Sequence, residues 1–197
     1  MGWRHEQAAA PHPDELDPAQ RALYDEITGG PRAAGPRRFP LTDDAGRLAG
    51  PFNAMLVAPP AGQALQGLGA AIRYETTLSD RVRELAILAV AARWDCAFER
   101  YAHEPHALAA GITETQLEAV RGGAAPDVAD ETERAAVRLV SAMLREEDVD
   151  DVTYAEVVPI IGNRMAVELT TLVGYYATLA LQLRVFRVAD PAGSGPR

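Results

Sequence analysis

Between positions 84 and 103 the chain concentrates four side chains able to handle protons or electrons: Glu84, Cys96, Glu99 and His103. The segment that holds them, ELAILAVAARWDCAFERYAH, is otherwise largely apolar, and Cys96 is the sole cysteine. On an ideal helix each residue advances roughly 100°, so Cys96, Glu99 and His103 share an arc of roughly 60°. Glu99 and His103 are four residues apart and can touch, which raises an imidazole pKa and fixes its tautomer. Cys96 stands at the start of that helix, where unpaired backbone N–H groups favour a thiolate. Glu84 precedes an unbroken apolar run, and partial desolvation there raises a carboxyl pKa, as a proton donor or shuttle requires.

Each of these side chains also has a plainer reading. A single buried cysteine commonly serves as a small hydrophobe, and a Glu–His pair at this spacing is often a surface pair. Glu84 could instead form a structural ion pair with Arg81, Arg83 or Arg93. His106 follows Pro105 and reads as exposed or peripheral, and Tyr175 and Tyr176 read as core aromatics. Glu84, Glu99 and His103 make a conceivable metal set. The other histidines, His5, His12 and His106, do not extend it, so no metal is expected. No glycine-rich phosphate loop follows a strand, and no serine sits in a nucleophile elbow.

The elements that must position these groups read as helices almost throughout. Asp17-Pro18 opens a helix that stops at Gly29-Gly30. Pro31–Pro51 reads as a long loop, functional or in contact with another subunit, ended by Gly50-Pro51-Phe52-Asn53. Helices then follow over 60–74, over 79–94 with Ser79 as cap, over 98–110, and from Thr113 to Gly122-Gly123. Further helices cover 130–145, 154–161 and 165–186, and no sustained alternation marks a strand. The segments 79–94 and 163–186 are apolar on nearly every face, which predicts a homo-oligomer. Residues 1–16 read as a mobile arm, 17–188 as a single all-α domain and 189–197 as a disordered tail.

Composition excludes several classes. The 197 residues are 48% hydrophobic and 24% charged with net charge −9, which argues against a nucleic-acid groove or an anionic membrane surface. Apolar runs such as Leu85–Ala92 are too short to span a bilayer. One cysteine and the polar start MGWRHEQAAAPHPDELD point to a cytoplasmic protein.

The segment RVRELAILAVAARWDCAFERYAHEPHALAAGIT resembles the carboxymuconolactone decarboxylase family, within the group that includes the alkylhydroperoxidase D proteins. The resemblance extends to GPFNAMLVAPP, ALQGLGAAIRYETTLSDRVRE and VELTTLVGYYATLALQL, over roughly residues 48–186. It implies an all-α fold of the alkylhydroperoxidase D type with a central helical hairpin, assembled as trimers or hexamers. The hydroperoxidase branch carries Cys-x-x-Cys-x-x-x-His after an upstream glutamate. Cys96, Glu99, His103 and Glu84 fall on those positions, with Glu99 in place of the second, peroxide-attacking cysteine. A dithiol cycle cannot run without that thiol. The decarboxylase branch fits the segment from Phe98 to Pro105 better, with Arg100 where an aromatic residue is usual.

The resemblance therefore implies a cofactor-independent lyase or isomerase acting on a small carboxylated or lactone-like substrate. His103 would be the general acid/base, Glu99 its orienting partner and Glu84 a proton relay or second acid. Phe52, Asn53, Arg100, Tyr175 and Cys96 would line the substrate site. A Cys96-dependent peroxidase or thiol redox protein, and a non-catalytic oligomeric ligand-binding protein, are the rival readings.

Overall fold

In the computed structural model, residues 11–30, 40–145, 148–186 and 188 are described. Most of the expected N-terminal arm, part of the expected loop 31–51 and the tail from 189 lie outside the described residues. Within them the regular structure is helical: a short 3-10 turn, Pro13–Glu15, and eight α-helices. The only β feature among the described residues is an isolated antiparallel bridge, Thr42 to Leu48.

Local chemistry explains where the helices begin. Asp17 accepts from the backbone N–H groups of Ala19 and Gln20, while the Gln20 side chain takes the Asp17 N–H, and Pro18 occupies the first turn. This capping box starts α1, Pro18–Gly29. Leu23 and Ile27 are its buried face. A second helix, α2 (Pro51–Val57), was not expected, since that stretch reads as the end of a loop. Gly50 at φ 59° and ψ −137° takes a conformation closed to L side chains and delivers Pro51 into the first turn. α3, Pro59–Tyr74, follows directly. There Gly62 lies against α2 so closely that a Cβ would stand 2.2 Å from the Met55 carbonyl oxygen.

The described residues gather into two units, one within Met1–Glu75 and Leu181–Arg197, the other Thr76–Ala180. In the first, α1, α2 and α3 pack on one another. The Gln20 amide reaches the Leu56 carbonyl at 3.1 Å, and the Tyr24 hydroxyl donates to Gly46 at 2.8 Å.

The second unit is built around α4, Asp80–Arg93, which starts at Ser79, whose hydroxyl accepts the Val82 N–H. α5 (Ala97–Ala109), α6 (Glu114–Arg121) and α7 (Glu131–Arg145) all pack against α4. Eight of its residues are buried, Val82, Leu85, Ile87, Leu88 and Val90 among them. The apolar residues of α4 are thus buried against helices of its own chain.

Between α4 and α5 the chain turns in three residues, Trp94, Asp95 and Cys96. The Cys96 N–H bonds to Ala91 O at 2.8 Å and the Asp95 N–H to Ala92 O at 3.2 Å, the pairing of a Schellman motif. Its left-handed position is held by Asp95 (φ 47°) rather than glycine. α5 runs on through Pro105.

α8, Asp151–Val185, is interrupted at Gly162 (φ 77°, ψ 157°), so 151–161 and 163–185 are separate helical segments, as the sequence predicts. Leu169, Leu172, Tyr176 and Ala180 are buried along its second segment, whereas Val152, Ile160, Val167 and Val185 are exposed. Among the described residues α8 alone is long and apolar enough, by length and composition, to cross a bilayer. The sequence argument against a span weighed only shorter runs such as Leu85–Ala92.

Candidate active site

α4 and α5 run side by side, joined by the three-residue turn, and this sets residues of the two helices face to face. His103 on α5 lies between two carboxylates: its Nδ1 is 2.7 Å from Oε2 of Glu84 on α4, and its Nε2 is 3.4 Å from Oε2 of Glu99. All three are buried, with exposures of 1% for Glu84, 3% for Glu99 and 7% for His103. Both ring nitrogens face carboxylate oxygens, which an imidazolium alone satisfies without protonating a carboxyl group. Burial opposes the charge, but the Glu84 carboxylate, seconded by Glu99, outweighs it and holds the His103 pKa at about 9.

The array continues beyond Glu84. Arg83 Nε stands 3.8 Å from Glu84 Oε1, and the Arg83 guanidinium also pairs with Asp80. Of the three arginines the sequence offered to Glu84, Arg81 is engaged by Glu133 in a two-pronged pair and Arg93 by the Leu144 carbonyl. Arg83, Glu84, His103 and Glu99 therefore form a row of alternating charge whose sum is zero. Two buried atoms in the row lack a hydrogen-bond partner among the described residues: Arg83 Nε, which has only its 3.8 Å ion pair with Glu84, and Oε1 of Glu99, which no donor reaches. A buried carboxylate oxygen left unsatisfied costs about 1–3 kcal/mol or more, so that atom marks where a ligand's donor would be welcomed.

Cys96 is buried beside this row as the cap residue of α5. Burial pushes its thiol up to about 11, and the Glu99 carboxylate adds repulsion; the N–H groups of Glu99 and Phe98 and the charge of Arg100 offset only part. The expectation that the helix start would favour a thiolate is reversed, because desolvation in an apolar surround exceeds the helix-end effect.

The other predicted site residues are placed as follows. Arg100 turns its guanidinium onto Asp95, at 3.1 and 3.2 Å. Tyr175 is buried and stacks edge-on against Tyr176, with centroids 5.1 Å apart. Phe52 and Asn53 belong to the first unit, where both are buried on α2. Tyr176, which the sequence reading took only as a core aromatic, meets the His103 ring edge-on at 5.3 Å. Its signal is periodic: Leu169, Leu172, Tyr176, Ala180 and Leu183 recur at helical spacing, and Tyr176 lies nearer the middle of that stripe than Tyr175. His106 also lies within 6.1 Å of the His103 ring. Among the described residues no group of three or more His, Cys, Asp or Glu side chains is placed to hold a metal ion.

Residues 59–142 match the model of the carboxymuconolactone decarboxylase family. Over that interval the chain is similar to the carboxymuconolactone decarboxylase family. The matched interval runs from the start of α3 into α7 and contains Glu84, Cys96, Glu99 and His103. Phe52, Asn53, Tyr175 and Tyr176 fall outside it. No match was found among the curated proteins.

Proposed function

We propose that this protein is a cofactor-independent lyase or isomerase of the carboxymuconolactone decarboxylase type that works by proton transfer on a small carboxylated or lactone-like substrate. The observation that carries the reading is the buried imidazolium of His103, held by Glu84 on one nitrogen and faced by Glu99 on the other. Loss of carbon dioxide from such a substrate breaks the bond between the ring carbon and its carboxylate. The electron pair passes into the conjugated lactone as a dienolate, and a proton must then reach carbon. His103 supplies that proton and regains one from solvent, so each turnover consumes one proton and releases one carbon dioxide. Glu84, with the shorter contact, orients the ring. That exchanges the roles the resemblance implied for the two glutamates, and leaves to the substrate the Glu99 oxygen that no donor among the described residues reaches.

The test is decarboxylation of γ-carboxymuconolactone in deuterium oxide, followed by mass spectrometry of the product. Turnover with one deuterium on carbon is expected, and His103→Gln should lower kcat by about 10²–10⁴-fold, the usual worth of a general acid. Absence of turnover by the wild-type protein, or an undiminished His103→Gln variant, would overturn the proposal. The neutral Cys96 thiol weighs against a peroxidase. The exposed apolar residues of α8 support an oligomer.

A further inference from the structure

α4 has a second working face. With roughly 100° per residue, Val82, Leu85, Ala86, Ala89 and Arg93 fall on the side of the helix turned away from Glu84. On that side a cavity of about 110 Å³ opens between α4, α6, α7 and residues 123–126. Its walls are apolar, drawn from Leu85, Ala89, Val120, Val137, Val140 and Leu144, and its polar fringe comprises Arg93, Ser141 and Arg145. Neither His103 nor its two glutamates lines it.

The charge at that fringe is unusual for this chain, which carries 28 acidic residues against 19 basic ones. Arg81, Arg83, Arg100, Arg121, Arg138 and Arg164 each hold a carboxylate. Among the described residues neither Arg93 nor Arg145 has one. Arg93 is anchored instead through Nε to the Leu144 carbonyl at 3.0 Å, which fixes its guanidinium beside the opening. An apolar chamber fringed by two guanidinium groups that hold no carboxylate among the described residues matches a molecule with an apolar body and an anionic head.

We infer that this cavity is a second small-molecule site, separate from the His103 row, which takes a compact apolar monocarboxylate of benzoate size. It stands independently of the reaction assigned to His103. The experiment is titration of the full chain with benzoate, with benzylamine as the cationic counterpart, followed by calorimetry and by the methyl resonances of Val137, Val140 and Leu144. Saturable binding of one benzoate is expected, with those methyl signals shifting and the His103 ring signals unmoved, and no binding of benzylamine. The double variant Arg93→Gln/Arg145→Gln should weaken benzoate at least about tenfold, the worth of charge-assisted hydrogen bonds. Ala89→Leu, which fills the chamber, should abolish binding. No saturable binding, shifts at His103 instead, or full affinity in the double arginine variant would overturn the inference. The arginine variant lies at the protein surface, so it decides the matter even if Ala89→Leu does not fold.

Discussion

His103 Nδ1 lies 2.7 Å from Glu84 Oε2, across the interface of α4 and α5, so the shortest contact of the imidazole is to another helix. The partner on its own helix, Glu99, stands farther off at 3.4 Å. A hydrogen bond of the first length between opposite charges fixes the ring rather than merely neighbouring it.

That arrangement makes the proton on His103 unusually persistent. Nitrogen-15 spectra should show an imidazolium at pH 7, titrating near pH 9. Because the folded pKa lies above the unfolded value of about 6.5, the stability it contributes is complete below pH 6.5 and is lost as pH rises through about 9. Urea midpoints measured across that window should fall for the wild type and much less for His103→Gln. A neutral ring at pH 7 would refute the assignment.

Glu84→Gln keeps an acceptor for Nδ1 but removes the charge, and it leaves Arg83 facing an amide. The His103 pKa should fall toward its ordinary value, with stability reduced by about 1–3 kcal/mol. Glu99→Gln should move the same pKa less, since Glu84 is the stronger influence on the ring. Parallel titrations of the two variants provide the comparison, and a larger shift in Glu99→Gln would reverse the roles given to the two glutamates.

Cys96 should behave as an inert thiol. Its labelling by a disulfide reagent at pH 8 should be far slower in the folded than in the unfolded chain, accelerating only as pH approaches 11. Cys96→Ser should keep its turnover on whatever substrate the wild type accepts. Complete loss of activity in a folded Cys96→Ser variant would bring the thiol back into the chemistry.

Gly62 offers a test of packing in the first unit. A methyl group there would stand 2.2 Å from the Met55 carbonyl oxygen, and backbone must shift to admit it. Gly62→Ala should cost about 1–3 kcal/mol by overpacking, although alanine is the better helix former. A thermal melt is sufficient, and an unchanged or raised midpoint would show that α2 and α3 give way freely.

The helical character of the chain was legible because its caps are chemical. Asp17 with Gln20, Ser79, and Thr113 with Gln116 all start helices where the sequence places them. α2 was not, because a seven-residue helix opened by Gly50-Pro51 has the composition of a turn. At the site, the helix period foretold that Glu99 and His103 are neighbours on α5. It could not foretell that Glu84 would come closer, since that depends on how two helices are set against each other. Nor could it foretell the state of Cys96, whose burial is a property of the packed unit rather than of its position at a helix start. Tyr176 was readable from its stripe, but only once the stripe was known to face inward.

The joint formed by Trp94, Asp95 and Cys96 carries a further implication for how this protein can vary. Adding or deleting one residue there would turn α5 by roughly 100° relative to α4, and His103 would no longer face Glu84. Both helices would still form, and the chain would still be recognisably the same protein, yet it would have lost its proton. Asp95 itself is exchangeable, since glycine or asparagine accepts its left-handed conformation at least as readily. In descendants of this sequence position 95 is free to change its letter, but the joint is not free to change its length.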